Sequence, residues 1–341
     1  MSDSNHMYEL EYPGPSAQTD GGEDGLSMVI ALQGYADAGQ GVRQAGQHLL
    51  QALDHSAVAT FNVDELIDYR SRRPGVTLDH GRVVDREDLS LALYRMEDSD
   101  GQPFMLLTGP EPDLRWESFS RAVAELASRS GVDRTVTFYA APMTVPHTRP
   151  LIVTAHGSDP SLIEGLRTWE SRMIVPGAAM LDVELLLSRG GLSTVGLTAH
   201  VPHYIAASDY PEAAYGLLHT LESVADLNLP LRALEADMDK VRQQLADQVD
   251  DSAEIASVVG ALERQYDEDQ SRQRRRRDNA LLAPGEEVPS GEEISAEVER
   301  FLASAIDMSG DDSGDDGAGA TDDGPGYNSD DNPDDLDDPD R

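Results

Sequence analysis

The 341 residues carry 64 acidic and 26 basic side chains, a formal net charge of −38, and no cysteine. A chain this negative repels phosphate backbones, which argues against nucleic acid as a partner. The absence of cysteine excludes disulfides, zinc fingers and thiol nucleophiles, and no apolar run approaches the roughly 18 residues that a membrane span needs.

The residues Met1–His6 are polar and lack the apolar core of a signal peptide, so a cytoplasmic protein is expected. Asp20 to Gly25 reads as an exposed loop. Leu26–Gln33 is an apolar run of strand length, stopped by Gly34. Val42, Ala45, Gly46, Leu49, Leu50 and Leu53 then recur at helical spacing. Ala57–Val63 reads as a second strand. Leu89–Met96 and Pro103–Thr108 read as two more, joined around the turn residues Asp98–Gly101. Trp116, Phe119, Ala122, Val123, Leu126 and Ala127 share a helical face that Gly131 terminates.

Strand-like runs follow at Thr135–Ala140 and Leu151–Ala155. Leu181, Leu185 and Leu186 mark a helix stopped at Gly190-Gly191, and Leu192–Val201 reads as a buried strand. Ala213, Leu217, Leu218 and Leu221 mark another helix, with Pro211 in its first turn. Strands alternate with helices to about residue 226, which predicts an α/β fold with a largely parallel or mixed sheet.

The pattern then changes. Leu231, Leu234, Met238, Val241 and Leu245 form one narrow apolar stripe. Ser252 is placed to cap a second helix bearing Ile255, Val258, Val259 and Leu262. A helical hairpin results, and its stripe must be covered either by the body or by another subunit. Residues 271–291 read as a charged linker. Glu292–Ile306 forms a last amphipathic helix, too short to stand alone in water. Thirteen Asp and one Arg from Gly310 to Arg341 give that stretch −12 and leave −26 of the −38 on residues 1–309. Such a composition cannot bury enough apolar surface to order itself, so 307–341 is expected to be disordered. The division is an α/β domain over 7–230, a helical extension over 231–306, and the acidic tail.

The sequence contains no Walker A loop, G-x-S-x-G elbow, H-E-x-x-H or G-x-G-x-x-G after a strand. Gly34–Gly39 (GYADAG) sits where the first strand turns into the first helix, the edge at which open α/β sheets bind ligands. There, helix-end N–H groups with Arg43 could hold an anion, or Asp37 could cap the helix itself. His147, His156, His200 and His203 all lie near predicted strand ends. They could serve as acid and base or bind a metal, or be buried and bonded to backbone. No metal and no cofactor are expected. Asp64–Pro74 mixes three carboxylates with three arginines, either as surface ion pairs or as a binding loop. Arg272 and Arg274–Arg277 form a basic run, expected to pair with the acidic body or tail.

Several segments occur together in order: Met7–Gly14, GYADAG at Gly34–Gly39, Phe61–Pro74, GPEPDLRW at Gly109–Trp116, MTVPHTRP at Met143–Pro150, Val175–Gly177 and HVPHY at His200–Tyr204. LERQY at Leu262–Tyr266 and Pro289–Phe301 follow. This set resembles the actinobacterial branch of the PAC2 family, named for the eukaryotic proteasome assembly chaperone 2, over about residues 7–303. The resemblance implies a three-layer α/β/α body with a mixed sheet, like that of purine nucleoside phosphorylases, plus the C-terminal helical hairpin. It implies a chaperone or protein-binding module that forms homo-oligomers, with proteasome α-subunits as candidate partners. Some chaperone relatives end in a hydrophobic residue, a tyrosine and one further residue; this chain ends Asp338-Pro339-Asp340-Arg341, and Tyr327 is internal. The alternative is a nucleoside phosphorylase-like or hydrolase-like enzyme. On such a scaffold Gly34, Asp37, His147, Arg149 and His203 would line the ligand pocket; no catalytic residue is implied.

Overall fold

The computed structural model describes residues 7–11, 25–169 and 171–278. The chain divides into two compact units, Met1–Arg274 and Arg275–Arg341. Of the second, the described part is residues 275–278. The helix expected over Glu292–Ile306 and the acidic tail lie outside the described residues.

In chain order the strands and helices are β1 (Tyr8–Leu10), β2 (Leu26–Gln33), α1 (Gly41–Ala52), β3 (His55–Phe61), α2 (Val63–Leu66), β4 (Val76–Asp79), β5 (Arg82–Arg86), β6 (Ala92–Glu97) and β7 (Pro103–Pro110). They continue with α3 (Trp116–Ser130), β8 (Val132–Met143), β9 (Val153–Gly157), β10 (Arg167–Thr168), α4 (Ala179–Arg189), β11 (Ser193–Pro202), α5 (Pro211–Ala225), α6 (Arg232–Asp250) and α7 (Ala253–Asp278). Nine strands form one sheet in the order β1-β3-β6-β7-β2-β8-β11-β9-β10. β7, β2, β8 and β11 run parallel at its centre, flanked by antiparallel β6 and β9. The sheet is therefore mixed, as expected.

Both faces of the sheet are covered, which is why β2 is apolar almost throughout rather than alternating. On one face Val29, Val136 and Leu197 pack with Val42 and Leu49 of α1 and Leu217 and Leu221 of α5. On the other, Met28, Ile30 and Met105 pack with Phe119 and Val123 of α3 and Val183 of α4. This is the three-layer α/β/α arrangement, with α6 and α7 added at the end. Leu234 and Leu245 of α6 are buried in the cluster that contains α5. The stripe is thus covered within the subunit.

Several boundaries differ from the sequence reading. β3 begins at His55 and stops at Phe61; Val63 instead opens α2, where the Asn62 side chain accepts from the Asp64 N–H. β9 runs two residues later than expected. Residues 271–278, expected as linker, continue α7. Glu268 and Asp269 pair with Arg272 one turn on, at 3.5 and 3.6 Å, and long unbranched side chains favour the helix. β1, the β4–β5 hairpin and the two-residue β10 have no counterpart in the sequence reading.

Candidate functional site

The carboxyl ends of β2, β8 and β11 meet at the centre of the sheet, where β2 pairs with β7 on one side and β8 on the other. The chain leaves β2 through Gly34–Ala38. Asp37 forms an isolated bridge to Ala140, and its Oδ1 accepts the N–H groups of Val42 at 2.7 Å and Arg43 at 3.5 Å. The positive end of α1 is therefore filled by the chain's own carboxylate, in the place where an external anion would bind. Burial pushes this carboxyl up to about 7, against the pull of those N–H groups and of Arg43.

Gly34 makes a close approach. A Cβ there would overlap the Glu111 side chain. Glu111 is buried beyond the end of β7; its Oε2 accepts the Tyr35 N–H (3.1 Å) and its Oε1 the Ala179 N–H at the start of α4 (2.7 Å). Arg72 donates to the carbonyls of Gln33 (3.1 Å) and Glu111 (3.2 Å). Four separate loops are thus tied at one carboxylate and one guanidinium.

On the other side of this edge lie His147, Arg149 and His203. The His147 N–H donates to the Tyr204 hydroxyl (2.9 Å), and its Nδ1 is 2.7 Å from the same oxygen. Burial pushes the His147 imidazole down, while Glu212 and Glu263 pull it up. The His203 ring lies edge-on to Tyr204, 5.4 Å between centroids. A groove of about 850 Å³ opens between residues 147–153, α5 and α6, lined by His147, Arg149, Leu151, Glu212, Met238 and Arg242 among others. A smaller cavity of about 320 Å³ lies under the helical hairpin, with His147 and Tyr204 against Leu245 and Val258. His147 stands in the wall of both.

The charges here are committed. Arg149 grips Asp267 through Nε (2.9 Å) and Nη2 (2.8 Å) and Glu263 through Nη1 (3.0 Å), which raises its own affinity for its proton. Tyr266 donates to the Pro150 carbonyl at 3.0 Å, so residues 148–150 strap down α7. Glu212 accepts from Tyr210 and from Arg242, both at 3.2 Å. The His147–Tyr204 pair beside Glu212 and Arg242 has the groups to orient a small polar molecule and to exchange a proton with it.

The four histidines do not converge. His156 and His200 sit on the sheet face that carries α4. The His156 Nε2 is 2.9 Å from Glu184 Oε2, and Glu184 Oε1 accepts from Tyr139 at 2.8 Å. The His200 Nε2 meets the Thr154 hydroxyl at 3.1 Å, and its ring stacks on Trp169 at 5.3 Å. Burial, helped by Arg167, pushes His200 down to about 4. Among the described residues no group of three or more metal-ligating side chains is placed to hold an ion, and no helix is long and apolar enough to cross a membrane.

A model of the PAC2 family matches residues 31–249. The chain belongs to the PAC2 family. It is similar to a protein of unknown function from Corynebacterium glutamicum, at 52% identity over 79% of this chain and 99% of that one, with a TM-score of 0.75. It is similar to a Mycobacterium tuberculosis protein of unknown function, at 45% identity over 80% and 92% of the two chains, TM-score 0.77. A proteasome-assembly chaperone homologue of M. tuberculosis shares the fold at 24% identity over 69% and 100%, TM-score 0.62. No protein with a curated description matches.

Within this PAC2 chain, the sequence reading missed Glu111, Glu184, Tyr204, Glu263 and Asp267 as functional positions. Glu184 had a signal: it stands inside the apolar spacing Met180, Val183, Leu187 of α4, where a lone carboxylate needs a buried partner. Glu111 had none, because its partners lie 76 and 68 residues away in sequence.

Proposed function

We propose that this PAC2-family protein is a cytoplasmic, non-enzymatic chaperone-like module that binds other proteins as a homo-oligomer, with proteasome α-subunits as candidate partners. The observation that carries the reading is the β4–β5 hairpin. All nine of its strand residues are exposed, and Val76, Leu78, Val83 and Val84 stand 51%, 70%, 69% and 56% open. A lone two-stranded hairpin is marginal in water and its apolar side chains call for cover. A second copy of the chain supplies that cover, and the assembled ring or dimer presents its remaining loops to a client. The existence of a proteasome-assembly chaperone homologue with this fold supports the client class.

The test has two arms. Light scattering of the full chain is expected to give a mass of two or more times 37.0 kDa, and Leu78→Asp with Val83→Asp is expected to give monomer with unchanged circular dichroism. Surface plasmon resonance on purified proteasome α-subunits is expected to show saturable binding that weakens with salt. A monomeric wild type removes the oligomer; absence of binding removes the proteasome.

One observation favours a second reading, a small-ligand enzyme of phosphorylase or hydrolase type. His147 is shared between two cavities and paired with Tyr204. The carboxylate of Asp37 on α1 counts against phosphate at the strand edge. Turnover of purine nucleosides with phosphate, lost in Tyr204→Phe, would install the enzymatic reading; no turnover and no thermal shift would retire it.

A further inference from the structure

The loops tied together at Glu111 carry an exposed apolar patch. Tyr35 is 74% exposed, Leu114 49%, Met173 46%, Ile174 97% and Val175 53%. One carboxylate ties their loops together: Glu111 accepts the Tyr35 N–H and the N–H of Ala179, four residues after Val175, while Leu114 lies three residues beyond Glu111 and donates its N–H to the Leu66 carbonyl at 3.0 Å. A wholly exposed isoleucine flanked by methionine and valine needs a reason.

The charges around the patch supply one. Several carboxylates of this rim are engaged by the chain itself. Glu111 accepts the two N–H groups named above, Asp113 accepts the Asp68 N–H (2.9 Å), Asp68 accepts the Arg70 N–H (2.9 Å), and Glu65 is paired with Arg115. The guanidinium groups of Arg70, Arg73 and Arg172 make no ion pair among the described residues, and all three residues are exposed. Across a chain whose carboxylates outnumber its bases 64 to 26, this edge presents apolar side chains and exposed arginines. Tyrosine, methionine and arginine are the residue types enriched at protein interfaces.

We infer that this edge docks an acidic polypeptide segment of a partner protein, with carboxylates on the arginines and an apolar side chain over Ile174. The inference deepens the protein-binding reading above and rests on it. Elsewhere the acidic surface selects basic partners; here the chemistry is reversed, which fixes the orientation of a client along the edge.

The probe is a short fluorescein-labelled peptide of alternating glutamate and phenylalanine, with a glutamine-for-glutamate twin, titrated against the full chain by anisotropy. The overall field of the chain repels the glutamate peptide, so a preference for it reports the local site. The expected result is binding about tenfold tighter than the twin at low salt, with the preference fading as salt rises. Arg70→Ser, Arg73→Ser and Arg172→Ser together are expected to abolish the preference, and Ile174→Ser to weaken both peptides; circular dichroism checks the fold. Equal affinities, no binding, or a preference unchanged in the triple variant would overturn the inference. So would an Ile174→Ser variant that changes the oligomeric mass but not peptide affinity, because the patch would then belong to a second copy. If α-subunits bind while the peptide does not, protein binding stands and this surface falls.

Discussion

Two clamps gather loops at the same end of the sheet, and they are built from opposite materials. Glu111 is 5% exposed and binds backbone N–H groups, with no cation opposite its carboxylate among the described contacts. Arg149 has a 31% exposed side chain and grips Glu263 and Asp267, which are 29% and 55% exposed. In the first, the carboxylate is buried, so an N–H left without its acceptor costs desolvation, in full at the buried Ala179 and in part at Tyr35. In the second, water and salt compete for every charge. The first clamp is therefore structural and the second adjustable, although both look alike as hydrogen-bond diagrams.

The largest effect is expected at the buried clamp. Glu111→Ala strands the Tyr35 and Ala179 N–H groups and should lower stability by about 3 kcal/mol, read by urea denaturation. Gly34→Ala forces a Cβ into the Glu111 side chain and should cost a similar amount in the wild type. In a Glu111→Gly background the same Gly34→Ala change should cost far less, because the whole obstructing side chain, its Cβ included, is gone. Additive losses would mean that the two residues do not meet, and the contrast between the clamps would lose its buried half.

This cycle also marks where the sequence stops being legible. The layers could be read because Leu26–Gln33 is apolar over most of its length and Leu192–Val201 carries Val195, Leu197, Ala199 and Val201 with no charged residue, and because α1, α3 and α5 keep their apolar faces at helical spacing. The β4–β5 hairpin escaped because both of its faces are exposed, so no alternation marks it. Its turn passes through His80 and Gly81, both at positive φ, the geometry a tight hairpin requires, yet with histidine where asparagine or aspartate would have announced it. Four of the five pocket candidates lie in two neighbourhoods: Gly34 packs on Glu111, Asp37 caps α1, and His147 and Arg149 share the groove wall. Their partners, Glu111, Tyr204, Glu263 and Asp267, come from distant segments that only the folded topology brings near.

An intermediate effect is expected from protons. Asp37 has its carboxyl raised from 3.8 to about 7 by burial, so the folded state binds a proton that the unfolded state has released. Stability contributed this way is present at low pH and is lost as pH rises from about 4 to 7, on the order of 1–3 kcal/mol for a half-buried group. His156 acts in the same direction: its raised value, set by the hydrogen bond to Glu184, gives stability that is complete below 6.5 and lost as pH climbs through the folded value. His200, lowered to about 4, opposes both between 4 and 6.5. Denaturation from pH 5 to 8 should show a steeper decline for the wild type than for Asp37→Asn, with His156→Gln flattening the upper part. A profile unchanged by Asp37→Asn would mean that this carboxylate is as solvated as those of the α7 clamp.

The smallest effect, and the one that separates the clamps most sharply, is expected from Arg149→Ala. Its partners are surface carboxylates one helical turn apart, so their loss should leave the urea midpoint unresolved from the wild type. What should change is local. Without the guanidinium, the hydrogen bonds left between α7 and residues 147–150 are the Tyr266 hydroxyl on the Pro150 carbonyl and the Thr148 hydroxyl on Glu263, and amides from Glu263 to Asp269 should exchange several-fold faster. High salt should produce the same acceleration in the wild type and none in the variant, because screening and deletion remove one interaction. Amides of α4 near Glu111 serve as the internal control and should not respond to either treatment. A global loss in Arg149→Ala comparable with that in Glu111→Ala would show that the exposed clamp is as integral to the fold as the buried one, and the cleft at His147 would then be a fixed surface rather than one that α7 can uncover.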